Sequence, residues 1–395
     1  MKQQFISFLT RHTSTRFLLQ RQRRLRDIPR LVINIKKDIA SSHVPPQERK
    51  SALRILLERI YLNWRYGYLG YIFYFSLKLE RKGERLSVHI TEGEFVKTRD
   101  YVNFNYPSRP YAYAGITRDK VLSKQLLSAL GAKVPQQRCK VHLANNGELA
   151  FKREDGRPYP LDSLVGCPMF FKPVEAENGE GVLKFFIEDH AYVNIGGKRL
   201  AIADFLAQIK DIVSRYGVCM IEDFIVQHDE LSRMYPLSVN TIRAYTVQKE
   251  GGAEYFGAIV RIGAHGAHND NYASGGVIVG VDERGVLSKK GYTRPEYGEA
   301  EITAHPDSGL AFEGFKVPYF EEAIALCVSL HNQMQGLYSI GWDIAITPDG
   351  PMIVEFNDNW EIQPLEIVTE RGWRKEYNET FVRTAKLLKK SAAAY

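Results

Sequence analysis

The chain has 395 residues, 44% of them hydrophobic, enough for two or three compact domains with sizeable cores. Its four cysteines, Cys139, Cys167, Cys219 and Cys327, are scattered and form no C-x-x-C pair, which argues against a zinc site or a disulfide framework and fits a reducing cytoplasm. The net charge of +7 is uneven, because residues 1–60 hold 14 Lys/Arg against 4 Asp/Glu and the remainder is slightly acidic.

No secretory signal is expected. The apolar run Phe5-Ile6-Ser7-Phe8-Leu9 is short and Arg11 interrupts its region. The most apolar later stretch, 68–79, is shorter than the roughly 20 residues that a spanning helix needs. A cytoplasmic protein, soluble or peripheral at a membrane, is the expectation. Arg21, Arg23, Arg24, Arg26 and Arg30 form the densest cationic cluster. It reads either as a solvated helix face or as a patch for anionic membrane lipid or a phosphorylated substrate or carrier. Nucleic acid ranks last, because no reading motif accompanies the charge.

Residues 1–110 read as mostly helical. Leu53, Leu56, Leu57, Ile60 and Tyr61 recur at helical spacing, Pro45-Pro46 breaks the pattern upstream and Ser51 opens the next helix. Thr117-Arg118-Asp119 precedes an amphipathic helix over 120–130, which Gly131 closes. Over 139–227 short strands and turns surround one helix, 202–216, with strands at 169–173 and 220–226; this has the size of a small α/β lid. Over 236–360 strands dominate around a helix at 319–335, and 376–390 is helical again. The divisions fall at 1–110, 111–227 and 228–395, in a mixed α+β or α/β architecture.

Several polar residues stand inside apolar strands. Lys172, in Phe170-Phe171-Lys172-Pro173, is costly there unless its ammonium meets an anion. The following Asn178-Gly179-Glu180-Gly181 lets backbone N–H groups approach phosphate oxygens, although a hairpin turn explains Gly179 and Gly181 equally well. Glu222-Asp223-Phe224-Ile225 reads either as an edge strand or as a hinge that pairs with an adenine edge, with Glu222 near the exocyclic amine and His228 or Asp229 near the ribose. Asn240 and Arg243 lie in one apolar strand and Arg261 in another, followed by Asn271 and Gly275-Gly276. Two such arginines suggest an oxyanion or carboxylate clamp, or a pair of structural ion pairs. Finally, 342–357 reads as a hairpin around Thr347-Pro348-Asp349-Gly350. Glu355 and Asn357 leave one strand on the same face, and Asp343 on the partner strand can reach it. Three oxygen donors on a rigid platform suit Mg²⁺ beside nucleotide phosphates; an incidental polar edge is the alternative.

In this order the residues resemble the ATP-grasp superfamily, and within it the sugar-transfer-associated branch often found with cell-surface polysaccharide genes. Asn240-Thr241-Ile242-Arg243 and Gly341-Trp342-Asp343 with Glu355-x-Asn357 and Trp360 are the most specific pieces, and the resemblance covers about 111–365. Arg261, Asn271 and Gly275-Gly276 also resemble the ribosomal-protein glutamate ligases and glutathione synthetases of that superfamily. The resemblance implies two α+β subdomains clasping ATP behind a helical N-terminal region. It implies that Lys120 and Lys172 bind the α- and β-phosphates, that 178–182 covers the γ-phosphate, and that 222–226 holds adenine. Asp343, Glu355 and Asn357 would hold two Mg²⁺ ions. Arg243 and Arg261 would stabilise the transferring phosphoryl group, with Asn240, Asn271, Gly275 and Gly276 at the substrate. The implied reaction is carboxylate–amine ligation through an acyl phosphate, on an amino acid, sugar acid or related metabolite. A small-molecule kinase and a non-catalytic nucleotide-binding partner of a glycosyltransferase complex are the alternatives. Two features depart from the pattern: Glu175, Glu177 and Glu180 crowd the flap with negative charge, and the N-terminal region is helical where many relatives carry an open α/β domain.

Overall fold

The computed structural model describes residues 13–66, 73–105, 115–117, 119–174, 181–189, 192–195, 198–294, 301–334 and 336–393. Gly179, Glu175, Glu177 and Glu180 lie outside the described residues, as do the side chains of Arg21, Arg23, Arg24 and Arg26. The chain divides into two compact units, one of Met1–Tyr106, Tyr292–Ile302 and Asn359–Tyr395, the other of Pro107–Gly291 and Thr303–Asp358.

The first unit is helical, as its periodicity predicts. It contains α1 (Thr13–Ala40), α2 (Ala52–Tyr66) and α3 (Glu92–Asn105). Ser51 opens α2, its hydroxyl accepting the Arg54 N–H at 3.3 Å. Leu31 of α1 packs with Ile55 and Leu62 of α2 and with Tyr74 and Leu79. The sequence reading attached 359–395 to the strands before it; the structure instead joins that segment to the helical unit. The cause is an aromatic cluster. Phe95 of α3 meets Trp360, Phe381 and Tyr377 at ring-centroid distances of 4.8, 5.3 and 6.1 Å, and such rings bury much apolar area per residue. Polar contacts fix the register: the Glu366 carboxylate accepts from Ile90 N–H at 3.1 Å, and Arg374 pairs with Glu94.

The second unit holds two antiparallel sheets. After α4 (Lys120–Ala129) come β1 (Gln137–Leu143), β2 (Leu149–Lys152), β3 (Pro168–Pro173), β4 (Leu183–Asp189), β5 (Tyr192–Ile195), β6 (Lys198–Ala201), α5 (Ile202–Tyr216) and β7 (Cys219–Asp223). Asp119 caps α4, accepting from Val121 and Leu122 N–H, and Gly131 follows with a φ of 84° that an L side chain rarely adopts. The first sheet runs β2-β1-β7-β3-β4-β5-β6. Its core joins Phe171, Phe185 and Ile221 to Phe205 and Ile209 of α5. The predicted 220–226 strand ends at Asp223, so Phe224, Ile225 and Val226 form the link out of this sheet.

That link leads to α6 (Asp229–Met234), β8 (Thr241–Lys249), β9 (Gly252–Ile262), β10 (Val277–Val281), β11 (Leu287–Tyr292), α7 (Phe320–Gln333), β12 (Ser339–Thr347) and β13 (Gly350–Asn357). In the second sheet these strands run β11-β10-β9-β8-β12-β13. The 342–357 hairpin forms as predicted, with Gly350 at φ 102° and the Thr347 hydroxyl donating to Gly350 O at 2.9 Å. Register then sorts side chains by face. Ala244, Trp342 and Phe356 stand in one cross-strand row, where Trp342 Nε1 donates to the Thr246 hydroxyl at 2.8 Å. Arg243, Asp343 and Glu355 stand in the adjacent row and so leave the opposite face. α7 packs on β8 and β9. α4 packs beside β13, and Ile353 N–H bonds Lys133 O at 2.9 Å, which ties the lysine-bearing helix to the Glu355 strand.

Candidate functional site

Lys172 sits near the C-terminal end of β3 and its ammonium pairs with Glu222 of β7, the cross-strand neighbour of Phe170. Lys124, one helical turn beyond Lys120 on α4, pairs with the other Glu222 oxygen. The Glu222 side chain is 4% exposed, so one buried carboxylate is shared by two buried ammonium groups. This corrects the reading of Glu222 as a residue free to meet adenine: both of its oxygens are engaged by lysines. Lys124 was missed from sequence. Its signal was a lysine on the buried side of α4, among Val121, Ser123 and Leu127.

Burial pushes the Lys172 ammonium down to about 8, with Lys120 adding to the fall and the Glu355 carboxylate opposing it. Burial and Lys172 likewise hold Lys124 well below the ordinary lysine range, again opposed by Glu355. Lys120 reaches Val174 O at 3.5 Å. Lysines from α4 and β3 therefore share an electrostatic environment with a carboxylate some 200 positions later, on β13.

Arg243 grips Asp343 with both ends of its guanidinium, Nη2 to Oδ2 at 2.8 Å and Nε to Oδ1. Burial works against the Arg243 charge, but Asp343 overrides it and raises the group above its ordinary range, with Glu355 contributing. Arg261 reaches Asp343 at 3.3 Å and Asp270 at 3.4 Å, and donates to the Thr241 hydroxyl at 2.9 Å. Thr241 in turn bonds Asp270 through both its N–H and its hydroxyl. Burial pushes the Asp270 carboxyl up, against the pull of Arg261. Both arginines thus hold ion pairs, as one of the two readings expected. Asp270 is a further member that nothing in its local pattern marks, and Thr241, inside the Asn240–Arg243 stretch, joins it.

The remaining expected positions separate into two groups. Asn240 lies just ahead of β8, not within the strand. It is fully buried, donating to Leu231 O and Tyr235 O at 2.9 Å and accepting from Gly263 N–H at 3.1 Å, so its amide knits loops together. Asn271 opens a short 3₁₀ turn, accepting from Ala273 N–H at 3.0 Å. Gly275 takes φ 96°, and a Cβ on Gly276 would lie 2.5 Å from Asp270 O. These glycines seat Asp270 beneath Arg261. His228 caps α6 through Nδ1, and Asp229 begins that helix, exposed. Asp223 pairs with Arg138, Phe224 stacks on Phe170 at 5.5 Å with Lys184 over its ring, and Ile225 is buried. Gly181 packs so closely that a Cβ would lie 2.9 Å from the Pro173 ring.

Glu355 and Asn357 differ from these. Among the described residues neither side chain has a hydrogen bond or ion pair. They lie two apart on β13, opposite Asp343 and Gly341. Among the described residues Asp343 Oδ2 accepts only from Arg243, which leaves it a second lone pair. Among the described residues no group of three or more His, Cys, Asp or Glu could hold a metal. The donors present fit Mg²⁺, which takes a few protein oxygens and completes its octahedron with phosphate and water.

The model of the sugar-transfer associated ATP-grasp family matches residues 98–381, well over half of the chain. The chain belongs to this family. No curated protein matches it. Among solved structures it is similar to an N5-carboxyaminoimidazole ribonucleotide synthetase in its ADP complex, with 12% identity, a TM-score of 0.36, and 62% of this chain and 46% of that one covered. It is also similar to a D-alanine–D-alanine ligase from Bacillus anthracis (14%, 0.35, 69% of each chain). D-alanyl-alanine synthetase A from Vibrio cholerae is a third (12%, 0.40, 70% and 67%). The chain spans less than half the length of the first of these. Among the described residues, no helix of this ATP-grasp protein is long and apolar enough to cross a membrane.

Proposed function

We propose that the protein joins a carboxylate to an amine at the expense of ATP, through an acyl phosphate. The observation that carries this reading is the position of Glu355: it stands in one cross-strand row with Asp343 and Arg243, and among the described residues its side-chain oxygens are uncommitted. Lys120, Lys124 and Lys172 bind the nucleotide phosphates. The substrate carboxylate attacks the γ-phosphate, and Arg243 and Arg261 hold the oxygens on which charge develops. The amine then attacks the acyl carbon and phosphate leaves; Arg261, fixed by Asp270 and Thr241, steadies the tetrahedral oxyanion. Mg²⁺ held by Glu355, Asn357 and Asp343, as one or two ions, would supply neutralisation of the phosphate charge. The substrate class is an amino acid, sugar acid or related small metabolite of a biosynthetic pathway.

Incubation with ATP, Mg²⁺ and pools of carboxylates, followed by hydroxylamine, tests the reading. Hydroxamate with ADP is the expected product. A stable phosphorylated product instead indicates a kinase, and ATP binding without turnover a nucleotide-binding scaffold.

Lys172 also gives the reading a pH signature. Its ammonium is charged below about 8 and neutral above, so phosphate loses a partner as pH rises. ATP affinity is expected to weaken roughly tenfold on passing upward through that value. Calorimetric titration with a non-hydrolysable analogue measures it. Lys172→Met should bind more weakly and flatten the profile; an unchanged slope in that variant would remove Lys172 from the phosphate site.

A further inference from the structure

α2 is apolar on two sides. One side buries Ile55 and Leu62 in the first unit's core. The other leaves Leu53, Leu57, Tyr61 and Trp64 exposed by 66, 56, 54 and 44%. At 3.6 residues per turn these four fall within an arc of about 80°. They form one continuous stripe, unlike the scattered exposed apolar residues of an ordinary surface. Arg54 and Arg65 lie just past its edge on the helical wheel, and both are exposed. On α1, which packs against α2, Ile33 is 78% exposed, with Arg30, Lys36 and Lys37 exposed on the turns around it.

The acids of these helices are Asp27 and Asp38 on α1 and Glu58 on α2, fewer than the bases Arg30, Lys36, Lys37, Arg54 and Arg65. Asp38 is paired with the buried Arg59, and Glu58 is shared by Lys50, Arg54 and the Tyr74 hydroxyl. The exposed side of α2 carries an apolar ridge with an aromatic pair at one end, Arg65 beside it and the Glu58-paired Arg54 at its edge, and α1 adds Arg30, Lys36 and Lys37 as exposed bases.

We propose that this face docks on an anionic lipid bilayer, with the α2 stripe seated at the headgroup boundary and the flanking bases against the lipid charge. Leucine supplies apolar burial, tyrosine and tryptophan prefer the interface, and each base near an anionic surface adds about fivefold to the partition. A second copy of the chain would cover the leucines but would set the same cations against each other. The inference stands independently of the ligase reading.

The test uses the purified full chain with vesicles of phosphatidylcholine, alone or mixed with phosphatidylglycerol. Sedimentation with the mixed vesicles is expected to exceed that with the neutral ones by about tenfold and to fall with salt. Trp342, Trp360 and Trp373 are already buried, so lipid contact should shift tryptophan emission to the blue through Trp64, and Trp64→Phe should abolish the shift. The double variant Leu53→Ser/Leu57→Ser, at exposed positions, should keep its melting temperature and lose about tenfold or more of the partition. Equal binding to both vesicle types, undiminished binding by the double variant, or a dimer that the double variant dissolves without any vesicle binding would each overturn the proposal.

Discussion

Glu355→Gln is expected to lower ATP turnover by about a thousandfold while leaving the fold cooperative. The substitution keeps shape and volume but removes the charge and one acceptor oxygen. Glu355 makes no hydrogen bond or ion pair among the described residues, so no structural partner is orphaned and the stability change should stay within about 1 kcal/mol. Its charge, however, faces Lys124, Lys172 and Arg243. In the proposed reaction a hard divalent ion would lose its carboxylate ligand, and the lysines would lose an anion that offsets their burial. ADP release measured alongside a thermal melt separates the two effects. A variant that melts like the parent and turns over at a near-normal rate would remove Glu355 from the proposed metal set.

The parts of this site that were legible from sequence are those where a charged residue interrupts an apolar strand. Lys172, Arg243, Arg261, Asp343 and Glu355 all announced themselves in this way, because burying a charge demands a partner. The period of two along β12 and β13 also placed Asp343 and Glu355 on one face, and the structure puts them directly opposite each other. What sequence left hidden was which partner each charge finds. Glu222 looked available for a base edge, yet two lysines from different elements converge on it. Asn240 reads as a strand residue turned to substrate, yet carbonyls of α6 and of the Tyr235 that ends it absorb its amide. Lys124 escaped notice because a lysine in an amphipathic helix is ordinary until a neighbouring strand brings a carboxylate to it. The attachment of 359–395 to the helical unit was hidden for a similar reason. It depends on Trp360, Tyr377 and Phe381 finding Phe95, a non-local match that no periodicity encodes.

Glu222→Leu should produce the largest loss of stability, about 3–5 kcal/mol. Leucine fills the space of the glutamate side chain, so the loss comes from charge, not from a cavity. Removing the carboxylate leaves Lys124 and Lys172 facing one another across a buried gap, where burial already depresses both and Lys172 further depresses Lys124. At neutral pH one of them must give up its proton or the strand pairing between β3 and β7 must open. Adding Lys124→Met to Glu222→Leu removes one orphaned ammonium and replaces it with an apolar side chain of similar reach. The double variant should therefore recover about 1–3 kcal/mol relative to Glu222→Leu alone, a coupling that urea unfolding of the four chains of the cycle can measure. Surface ion pairs give couplings below about 1 kcal/mol. If the two substitutions simply add, Glu222 is not the shared counter-charge of these lysines, and the site must hold its cations apart in some other way.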